Sequence, residues 1–533
     1  MKKIIVVIIV CMIIISGMFI YNKSDKKEVL EAGSGPIIAA VIDGKASTSF
    51  PTTNKYVATV ECTRNGKKID ANESITWNGT KWILTTAISD GNVRCNATFR
   101  TPNFAETILA NNEVKTPITT PGKEVNAHTK DDVESATSGV STTFQAYYIT
   151  YGTGWTANGT KFNLTGAAVT SDTYDNSYSS LVGKYLPYSS ISDSGSKTAG
   201  TMKTTTNLSS VYYVVSAISN NITYKEITSN KNTTEALLAS TEDDYGTSYY
   251  FRGAVKNNYV QFANKCWRIV RITGDGSVKL ILHNDNTAGA ANPCSSANNS
   301  TSAAFARYSG STYDSVFNSN SDDNAYVGFK YGTTGASDYA TTHANTNNST
   351  ILTNLETWYT NNLKNYADTI ADTVWCNDKT NITDTSYDPW NITPNGRGYA
   401  KNVTYYGATQ RLVSKNNSAG GTGPSLKCNG ELSKITSKVG LITADEIAFA
   451  GSVLGKYNRS TYLQENTETN YWWSLSPSRF HGGGAYVWGV ESGYLYHDFV
   501  GNGNSVRPVI SLISSTNVTG DGTSENPYKV VLL

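Results

Sequence analysis

The sequence predicts a mainly β protein with an α+β C-terminal domain. At 533 residues the chain is too long for one ordinary hydrophobic core, so several domains are expected. Charged residues make up only 16% of the chain, and Asn, Ser, Thr and Gly supply its polarity together with 34 tyrosines. This composition favours strands and turns over helices and is typical of secreted or surface-exposed proteins.

The first 27 residues predict a membrane anchor. Lys2 and Lys3 precede an apolar run, 4–21, whose length lies between that of a signal-peptide core and that of a spanning helix. No small-x-small cleavage site follows directly, and Cys11 lacks the preceding small residue of a lipoprotein signal. We therefore expect a single-pass anchor in the cell membrane, with the bulk of the chain extracellular. A cleaved signal peptide is the alternative, and lysines on both sides leave the orientation open.

Six cysteines lie outside the anchor, and this even number predicts disulfides in an oxidising compartment. They form no C-x-x-C metal knuckle or redox pair. Free thiols on a bacterial surface without oxidation machinery are the alternative. Cys62 and Cys95 lie on the outer strands of the first predicted module, and we expect them to pair. Three pairings remain open for the other four: Cys266, Cys294, Cys376 and Cys428.

Two small β-sandwich modules, 28–114 and 141–240, are predicted on either side of a polar linker, 115–140. The segment "WNGTKWILT" (77–85) recurs as "ANGTKFNLT" (157–165), although chance similarity in an Asn/Thr-rich chain would explain this as well. In both copies Asn-Gly separates strand-like runs. This pattern predicts a type I′ hairpin turn, in which both central residues take a positive φ.

The remaining segment, 241–533, predicts an α+β domain of strands, long loops and few helices. Residues 259–282 read as a hairpin with a Gly-Asp-Gly turn at 274–276. Residues 349–370 place apolar side chains on one stripe of a helix. A second helix, 443–451, begins with a Thr-x-x-Glu capping box and ends at a glycine.

Five motifs of this domain occur in the order "NKCWRIVRITGDGSVKLIL", "GLITADEIAFAG", "YWWSLSPS", "SVRPVISL" and "GDGTSENPYKV". In this order they resemble uncharacterised surface proteins of Gram-positive (Bacillota) gut bacteria. The C-terminal domain of those proteins, the DUF6273-like group, is similar to the formylglycine-generating-enzyme branch of the C-type-lectin-like fold. The resemblance covers roughly residues 245–533 and implies a C-type-lectin-like domain there. The segment around "VECTRNGKKI" is similar to the small β-modules that precede such domains.

The chain departs from the functional motifs of that fold. Formylglycine-generating enzymes use a cysteine pair late in the domain, whereas this chain has no cysteine after Cys428. Sugar-binding C-type lectins hold calcium through a Glu-Pro-Asn or Gln-Pro-Asp loop and a Trp-Asn-Asp strand. Here "SENPYK" carries Glu525, Asn526 and Pro527 in a different order. No catalytic or calcium residue is therefore transferred to this chain, and no cofactor is expected.

The stretch "WWSLSPSRFHGGGAYVWGVESGYLYHDF" (472–499) holds the candidate ligand-binding residues. Alternation predicts strands at 485–490 and 494–499, joined by a three-residue loop at 491–493. One face of each strand has to pack on the core, and the open face and loops remain for function. Aromatic faces beside polar groups stack on sugar rings or seat peptide side chains. The candidates are Arg479, His481, Trp488, Tyr494 and Tyr496.

Metal binding is a weaker interpretation of the same region. His481, His497, Asp498 and Glu491 could supply ligands, but their spacing matches no known ligand set. The segment "NSNSDDN" (318–324) places oxygen-bearing side chains at alternate positions, as a calcium loop does. It lacks the turn glycine and the bidentate glutamate, so a solvated loop is preferred.

Recognition or adhesion is the function that these observations favour, with no enzyme activity expected. A net charge of +1 without a basic cluster gives no reason to expect nucleic acid. The chain has no G-x-S-x-G, H-E-x-x-H or Walker motif and only five histidines. We expect a membrane-anchored surface protein with an extracellular glycan or protein ligand. Alternatives are an extracellular enzyme of the same fold, using Arg479, His481, His497 and nearby carboxylates, or a purely structural envelope protein.

Overall fold

Strands are the main secondary structure of the protein. The computed structural model describes residues 36–88, 91–117, 119–123, 235–455, 461–467 and 471–532, together with the backbone of short strands between residues 137 and 228. Strands account for 36% and helices for 15%, which confirms the predicted mainly β class. The chain divides into two compact units, residues 1–107 and 108–533.

The first unit contains a five-stranded sheet and a separate hairpin. Its strands are β1 (Ile37–Ile42), β2 (Lys45–Ser47), β3 (Val57–Arg64), β4 (Lys67–Lys68), β5 (Ser74–Trp77), β6 (Trp82–Thr85) and β7 (Val93–Arg100). The sheet order is β2-β1-β7-β3-β4, with β1 and β7 parallel, while β5 and β6 form the hairpin. Alternate residues of β7 face inward, and the core gathers Ala40, Trp82, Ala97 and Phe99.

The turn of this hairpin differs from the prediction. Trp77 pairs with Trp82, so the connection has four residues, and only Gly79 (φ +100°) has a positive φ. Asn78 instead uses its side-chain Oδ1 to accept hydrogen bonds from the backbone N–H groups of Thr80 (3.1 Å) and Lys81 (2.9 Å). This local bonding holds a wider turn than the predicted type I′. In the second copy, Ala157 pairs with Thr160, and the residues of the turn lie outside the described part of the chain.

The backbone of short strands is described in the region of the second predicted module. These strands are β8 (Thr137–Ser141), β9 (Ile149–Thr150), β10 (Thr156–Ala157), β11 (Thr160–Lys161), β12 (Tyr185–Pro187), β13 (Lys203–Thr204), β14 (Ser210–Ile218) and β15 (Asn221–Thr228). Four of them form an antiparallel sheet in the order β12-β14-β15-β8.

The strands of the C-terminal region belong to two larger sheets and two small ribbons. They are β16 (Leu237–Asp243), β17 (Gly246–Arg252), β18 (Tyr259–Phe262), β19 (Lys265–Ile272), β20 (Val278–Asn284), β21 (Asp314–Ser315), β22 (Lys330–Tyr331), β23 (Asn347–Asn348), β24 (Thr373–Cys376), β25 (Thr404–Tyr405), β26 (Lys434–Ser437), β27 (Trp472–His481), β28 (Gly484–Glu491), β29 (Tyr494–Phe499), β30 (Asn504–Ser505), β31 (Val509–Leu512), β32 (Asn517–Thr519) and β33 (Tyr528–Val531).

An eight-stranded sheet forms the centre of the second unit. Its path is β16-β17-β19-β18-β33-β32, and β20 joins β19 to β31. Nearly every residue of β19 and β20 is buried, as expected for strands covered on both faces. The predicted Gly-Asp-Gly turn is confirmed between β19 and β20, where Thr273 N donates to Ser277 O (2.9 Å) and Gly276 has φ +83°. The predicted first strand of this hairpin is instead two strands, because β18 turns back on β19 at Ala263-Asn264.

A six-stranded sheet positions the candidate site. Its strand order is β21-β30-β27-β28-β29, and β25 pairs with β27 along the edge opposite β28. Strand β29 is therefore an outermost strand. Two-residue turns join its antiparallel strands. Gly482-Gly483 connects β27 to β28, Ser492-Gly493 connects β28 to β29, and all four residues have a positive φ. The second turn replaces the predicted three-residue loop, because Glu491 pairs directly with Tyr494.

Five helices occur in the described residues: α1 (Phe104–Asn111), α2 (Tyr339–His343), α3 (Thr350–Asn362), α4 (Gly407–Leu412) and α5 (Ala444–Ala450). Helix α3 is shorter than the predicted 349–370, because the chain passes into a 3₁₀ turn after Leu363. Helix α5 confirms its predicted capping box of Thr443 and Glu446 and ends at Gly451 in the left-handed region (φ +117°).

Three disulfides confirm the expectation drawn from the even number of cysteines. Cys62 bonds to Cys95, the pair favoured by the sequence, and these residues face each other on β3 and β7. The other bridges are Cys266–Cys294 and Cys376–Cys428. Disulfides of this kind indicate an extracellular or secreted protein.

Part of the predicted linker is structured within the second unit. Lys115 N donates to Leu238 O (2.8 Å), next to a parallel bridge between Val114 and Leu238. Thr119 donates through its N–H (3.1 Å) and its hydroxyl (2.8 Å) to the buried carboxylate of Glu235. The predicted anchor, 1–27, lies outside the described residues, and among the helices that are described none has the length and apolarity to cross a membrane.

Candidate functional site

Strand pairing places a cation and two aromatic residues on one face of the six-stranded sheet. Arg479 on β27 pairs with Tyr486 on β28, and Tyr405 on β25 flanks Arg479 on the other side. On the same face of the neighbouring pair, Trp488 lies opposite His497. Residues directly opposite each other on antiparallel strands share a face, so sequence alternation and register together build this surface.

Trp390 covers this face from a long loop. Asp388 fixes the loop, since its carboxylate accepts hydrogen bonds from the N–H of Ile392 (2.8 Å) and the hydroxyl of Tyr405 (2.9 Å). The indole Nε1 of Trp390 donates to Asn417 Oδ1 (2.8 Å). The Trp390 ring itself stays partly exposed to solvent.

The Arg479 guanidinium lies between two aromatic rings and has no hydrogen-bond acceptor among the described residues. Its central carbon is 4.6 Å from the ring centre of Trp390 and 4.2 Å from that of Tyr486, within cation–π range. Nε and Nη1 are buried and make no hydrogen bond. Burial lowers the pKa of Arg479. A buried cation normally has a carboxylate or carbonyl partner, so this donor set is electrostatically incomplete.

His497 lies beside Arg479 as a neutral ring. Its centre is 4.6 Å from that of Trp390, and its ring stacks on Tyr496 at 5.3 Å with an interplanar angle of 9°. Burial, reinforced by the charge of Arg479, holds the pKa of His497 well below its ordinary value of 6.5. His497 therefore carries no charge at neutral pH. We call Trp390, Arg479, Tyr486, Tyr496 and His497 the Arg479 patch.

A row of tyrosines extends the patch around the outermost strand. Tyr494 and Tyr496 alternate with His497 along β29 and so belong to the opposite face of the sheet. The ring of Tyr496 lies 6.2 Å from that of Tyr494 and 6.1 Å from that of Tyr471, which is 41% exposed. The six ring contacts of His497 and Tyr496 thus join a cationic face and a tyrosine face at the edge formed by β29.

The predicted candidates do not all share this surface. Trp488 was expected on the open face, but its side chain is fully buried and donates to Thr409 Oγ1 (3.2 Å), so it belongs to the core. His481 lies two residues beyond Arg479, next to the Gly482-Gly483 turn, and makes no ring contact with the patch. Arg479 and Tyr496 belong to the patch, and Tyr494 adjoins it.

The nearby carboxylates are engaged elsewhere. Asp498 accepts hydrogen bonds from the side chains of Asn502 (2.8 Å) and Asn504 (2.9 Å). Glu491 accepts from the hydroxyl of Tyr471. No carboxylate of the described residues pairs with Arg479 or His497, and no group of three metal-ligating side chains occurs in that part of the chain.

The calcium-like segment 318–324 is a solvated loop in its middle only. Ser319, Asn320 and Asp322 are exposed, whereas Asn318, Asp323 and Asn324 are buried. Asp323 caps a short 3₁₀ turn by accepting from Ala325 N (2.9 Å), and Asn324 Nδ2 donates to the distant backbone carbonyl of Ala400 (2.8 Å). The buried side chains therefore satisfy backbone groups of this turn and of a neighbouring loop.

A buried charge cluster lies at the N-terminal end of α5, and sequence reasoning missed it. Lys279 and Arg271 both bind the carboxylate of Glu446, at 2.6 and 2.9 Å. Arg411 bridges Asp378 (2.7 Å) and Asp445 (2.6 Å). A cavity of about 40 Å³ lies among these groups, beside the Cys376–Cys428 disulfide. Each charge has an opposite partner, so this cluster is built for stability.

Three patch residues were not among the ligand-binding candidates of the sequence analysis: Trp390, Tyr486 and His497. His497 was considered there only as a metal ligand or a catalytic residue. One signal was available for Trp390: it is the single tryptophan of "TSYDPWNITPNG", a loop rich in polar and turn residues. In the structure it packs with Tyr387 and Tyr405 while staying partly exposed. Its position over Arg479 depends on a contact between residues 89 positions apart, which no local pattern reveals.

Known proteins offer no guide to this site. Comparisons of the chain with protein-family models, with curated proteins and with solved structures found no match.

Proposed function

We propose that the chain is a bacterial cell-surface protein whose C-terminal domain, of the C-type-lectin-like kind, recognises an extracellular ligand through the Arg479 patch. The observation that carries this proposal is the guanidinium of Arg479, held between Trp390 and Tyr486 without an acceptor. Buried donors without partners are costly, and a ligand that supplies an acceptor removes that cost.

A glycan fits the patch better than a protein ligand. Trp390, Tyr471 and Tyr496 present partly exposed rings around one strand edge. Flat aromatic faces stack against the C–H faces of pyranose rings, while adjacent polar groups bind the hydroxyls. Tyr496 and Tyr471 contact each other edge to face, with ring centres 6.1 Å apart, and so form a continuous aromatic surface.

Binding is favoured over catalysis at this position. An acid–base site needs a titratable group near its working pH and a second group that orients it. His497 is held neutral by burial, and its Nδ1 makes no hydrogen bond. Arg479 and His497 do converge, but neither meets a carboxylate among the described residues, and His481 makes no ring contact or hydrogen bond with them there.

The proposed location is the outer surface of the cell. The three disulfides indicate an extracellular or secreted protein. In this proposal residues 1–27 hold the chain in the membrane, and the β-modules before residue 241 serve as a stalk. The C-terminal domain then presents its patch outward to a glycan of a host or a neighbouring cell.

Replacing Trp390 tests the proposal. We expect Trp390→Ala to weaken binding to the recognised glycan by about tenfold or more, since a stacking ring contributes on the order of 1 kcal/mol beyond its buried area. The measurement is binding of the purified full-length protein, in mild detergent, to a panel of neutral and acidic glycans, mucin and matrix proteins.

Tyr245→Ala is the matched control, because this tyrosine is 55% exposed and lies outside the patch. It should leave binding unchanged. Wild-type protein that binds nothing on the panel, or Trp390→Ala protein that binds as tightly as wild type, would contradict the proposal.

A further inference from the structure

The geometry points to sugars that carry a carboxylate as the ligands of the Arg479 patch: uronic or sialic acid residues, with the carboxylate on Arg479 and the sugar ring against the aromatic side chains. This inference rests on the proposed glycan-binding function and narrows its ligand class. It depends on the charge, the accessibility and the orientation of one guanidinium.

The charge of Arg479 is uncompensated. Other arginines of the same unit have acceptors. Arg268 pairs with Glu465, and Arg411 pairs with Asp378 and Asp445. The fully buried Arg507 donates instead to the backbone carbonyls of Leu282 (2.8 Å) and Leu463 (2.5 Å). Arg479 has no ion pair within the described residues and makes no hydrogen bond there. An anion is the partner that such a site lacks.

The guanidinium remains reachable from solvent. Arg479 is only partly buried. Its Nε and Nη1 are buried, whereas its Nη2 is not. With no hydrogen bond to Nη2 either, this nitrogen is the group that an incoming oxygen meets first.

The flanking rings hold the guanidinium in one orientation. Contacts at 4.6 and 4.2 Å on Trp390 and Tyr486 restrict rotation of the side chain. A guanidinium held in place, with an unpaired charge and a reachable Nη2, favours an anionic oxygen acceptor such as a carboxylate. A lysine at this position would offer only a point charge.

The neighbouring groups do not compete for that charge. His497 is neutral, because burial and Arg479 hold its pKa well below 6.5. Asp498 is occupied by Asn502 and Asn504, and Glu491 by Tyr471. The partly exposed Trp390, whose ring contacts the guanidinium, leaves aromatic area beside the cation for the sugar ring.

The test compares matched acidic and neutral sugars. The probes are oligosaccharides that end in glucuronate, galacturonate or sialic acid. Each is compared with its carboxyl-reduced or unsubstituted counterpart, and the affinity of both for the full-length protein is measured. We expect at least tenfold tighter binding of the acidic member, and a loss of about 10- to 100-fold in Arg479→Gln, the range for a charge-assisted hydrogen bond. Arg479→Lys should recover only part of the loss. The uronate and sialate probes separate the two sources of this chemistry.

Arg397→Gln is the matched control, since this exposed arginine makes no ring contact or ion pair in the described residues. It removes the same charge and should leave the preference intact. Equal binding of acidic and neutral members overturns the inference, as does unchanged binding in a folded Arg479→Gln protein or a response to sulfated sugars alone. Neutral glycans that bind through Trp390 would overturn only this inference, whereas failure of every glycan and protein ligand contradicts the proposed function itself.

Discussion

Glu446 shows how one side chain connects local helix chemistry to the core. Its backbone and carboxylate form the capping box with Thr443, with contacts of 3.1 and 3.0 Å. The same carboxylate accepts from Lys279 and Arg271. Burial alone would raise the pKa of Glu446, but these two cations outweigh burial and lower it from 4.5 to about 2.

This depressed pKa makes stability depend on pH. The native state binds the Glu446 proton more weakly than the unfolded chain, so the contribution is complete above pH 4.5 and is lost as the pH falls toward 2. We expect Glu446→Gln, which keeps the capping geometry, to lower the free energy of unfolding at pH 7 by about 3–5 kcal/mol, because two buried cations lose their partner. Urea unfolding at pH 7 and pH 3 measures this.

The comparison between the two pH values is the informative part. Glu446→Gln should lose less stability than the wild type between pH 7 and pH 3. Glu431→Gln, in an exposed pair with Lys434, serves as the control and should change little at either pH. An equal acid response of Glu446→Gln and wild type would show that Glu446 does not carry this dependence.

At the scale of elements, the β3–β7 pair is the centre of the first unit. The two strands pair along their full length, from Val57–Arg100 to Arg64–Val93, and the Cys62–Cys95 bridge joins them at directly opposed positions. These cysteines are 33 positions apart, and the segment between them includes the β5–β6 hairpin, which packs Trp82 on the core. The bridge therefore closes a loop that carries part of the core.

Removing this disulfide should destabilise the first unit. For a loop of this length the chain-entropy account gives about 3–4 kcal/mol for Cys62→Ala/Cys95→Ala. Differential scanning calorimetry of the full-length protein should show the unfolding transition of the first unit shifting to a lower temperature. Cys376→Ala/Cys428→Ala, in the other unit, should leave that transition in place. A transition that stays put in the first variant would argue that the strand pair alone holds the unit together.

For the whole molecule, the second unit needs residues that precede its predicted start at 241. Arg252 is fully buried and lies 3.5 Å from the carboxylate of Glu235, which also accepts from Thr119. Strand β16 begins at Leu237 and pairs with β17 through seven residues. A domain cut at residue 241 loses half of this strand and the carboxylate beside Arg252.

We therefore expect a 241–533 fragment to be less stable than a 108–533 fragment by about 3–5 kcal/mol, the cost of removing one partner from a buried ion pair. Soluble yield and the urea midpoint of the two fragments measure the difference. Glu235→Ala in the longer fragment isolates the contribution of the ion pair. Equal midpoints for all three proteins would place the start of the domain where the sequence predicted it.

The sequence by itself determined the elements whose signals are local. The β class follows from composition, helix α5 from its capping residues, and the β19–β20 hairpin from a Gly-Asp-Gly turn between apolar runs. Arg479 and Tyr496 were named as candidates because they belong to the loops and open strand faces of the aromatic stretch 472–499. Each of these features depends on residues within a few positions of one another.

Tertiary structure decided what distant residues do together. Trp488 is buried because α4 supplies Thr409 beneath it, and Trp390 meets Arg479 only because a loop folds back over β27. The wide turn at Asn78 shows the same limit at short range, since one side-chain oxygen overrode the expected turn type. Burial and charge pairing depend on residues that are neighbours in space. Strand alternation shows which side chains share a face of the sheet, but it does not show which distant residues pack on that face.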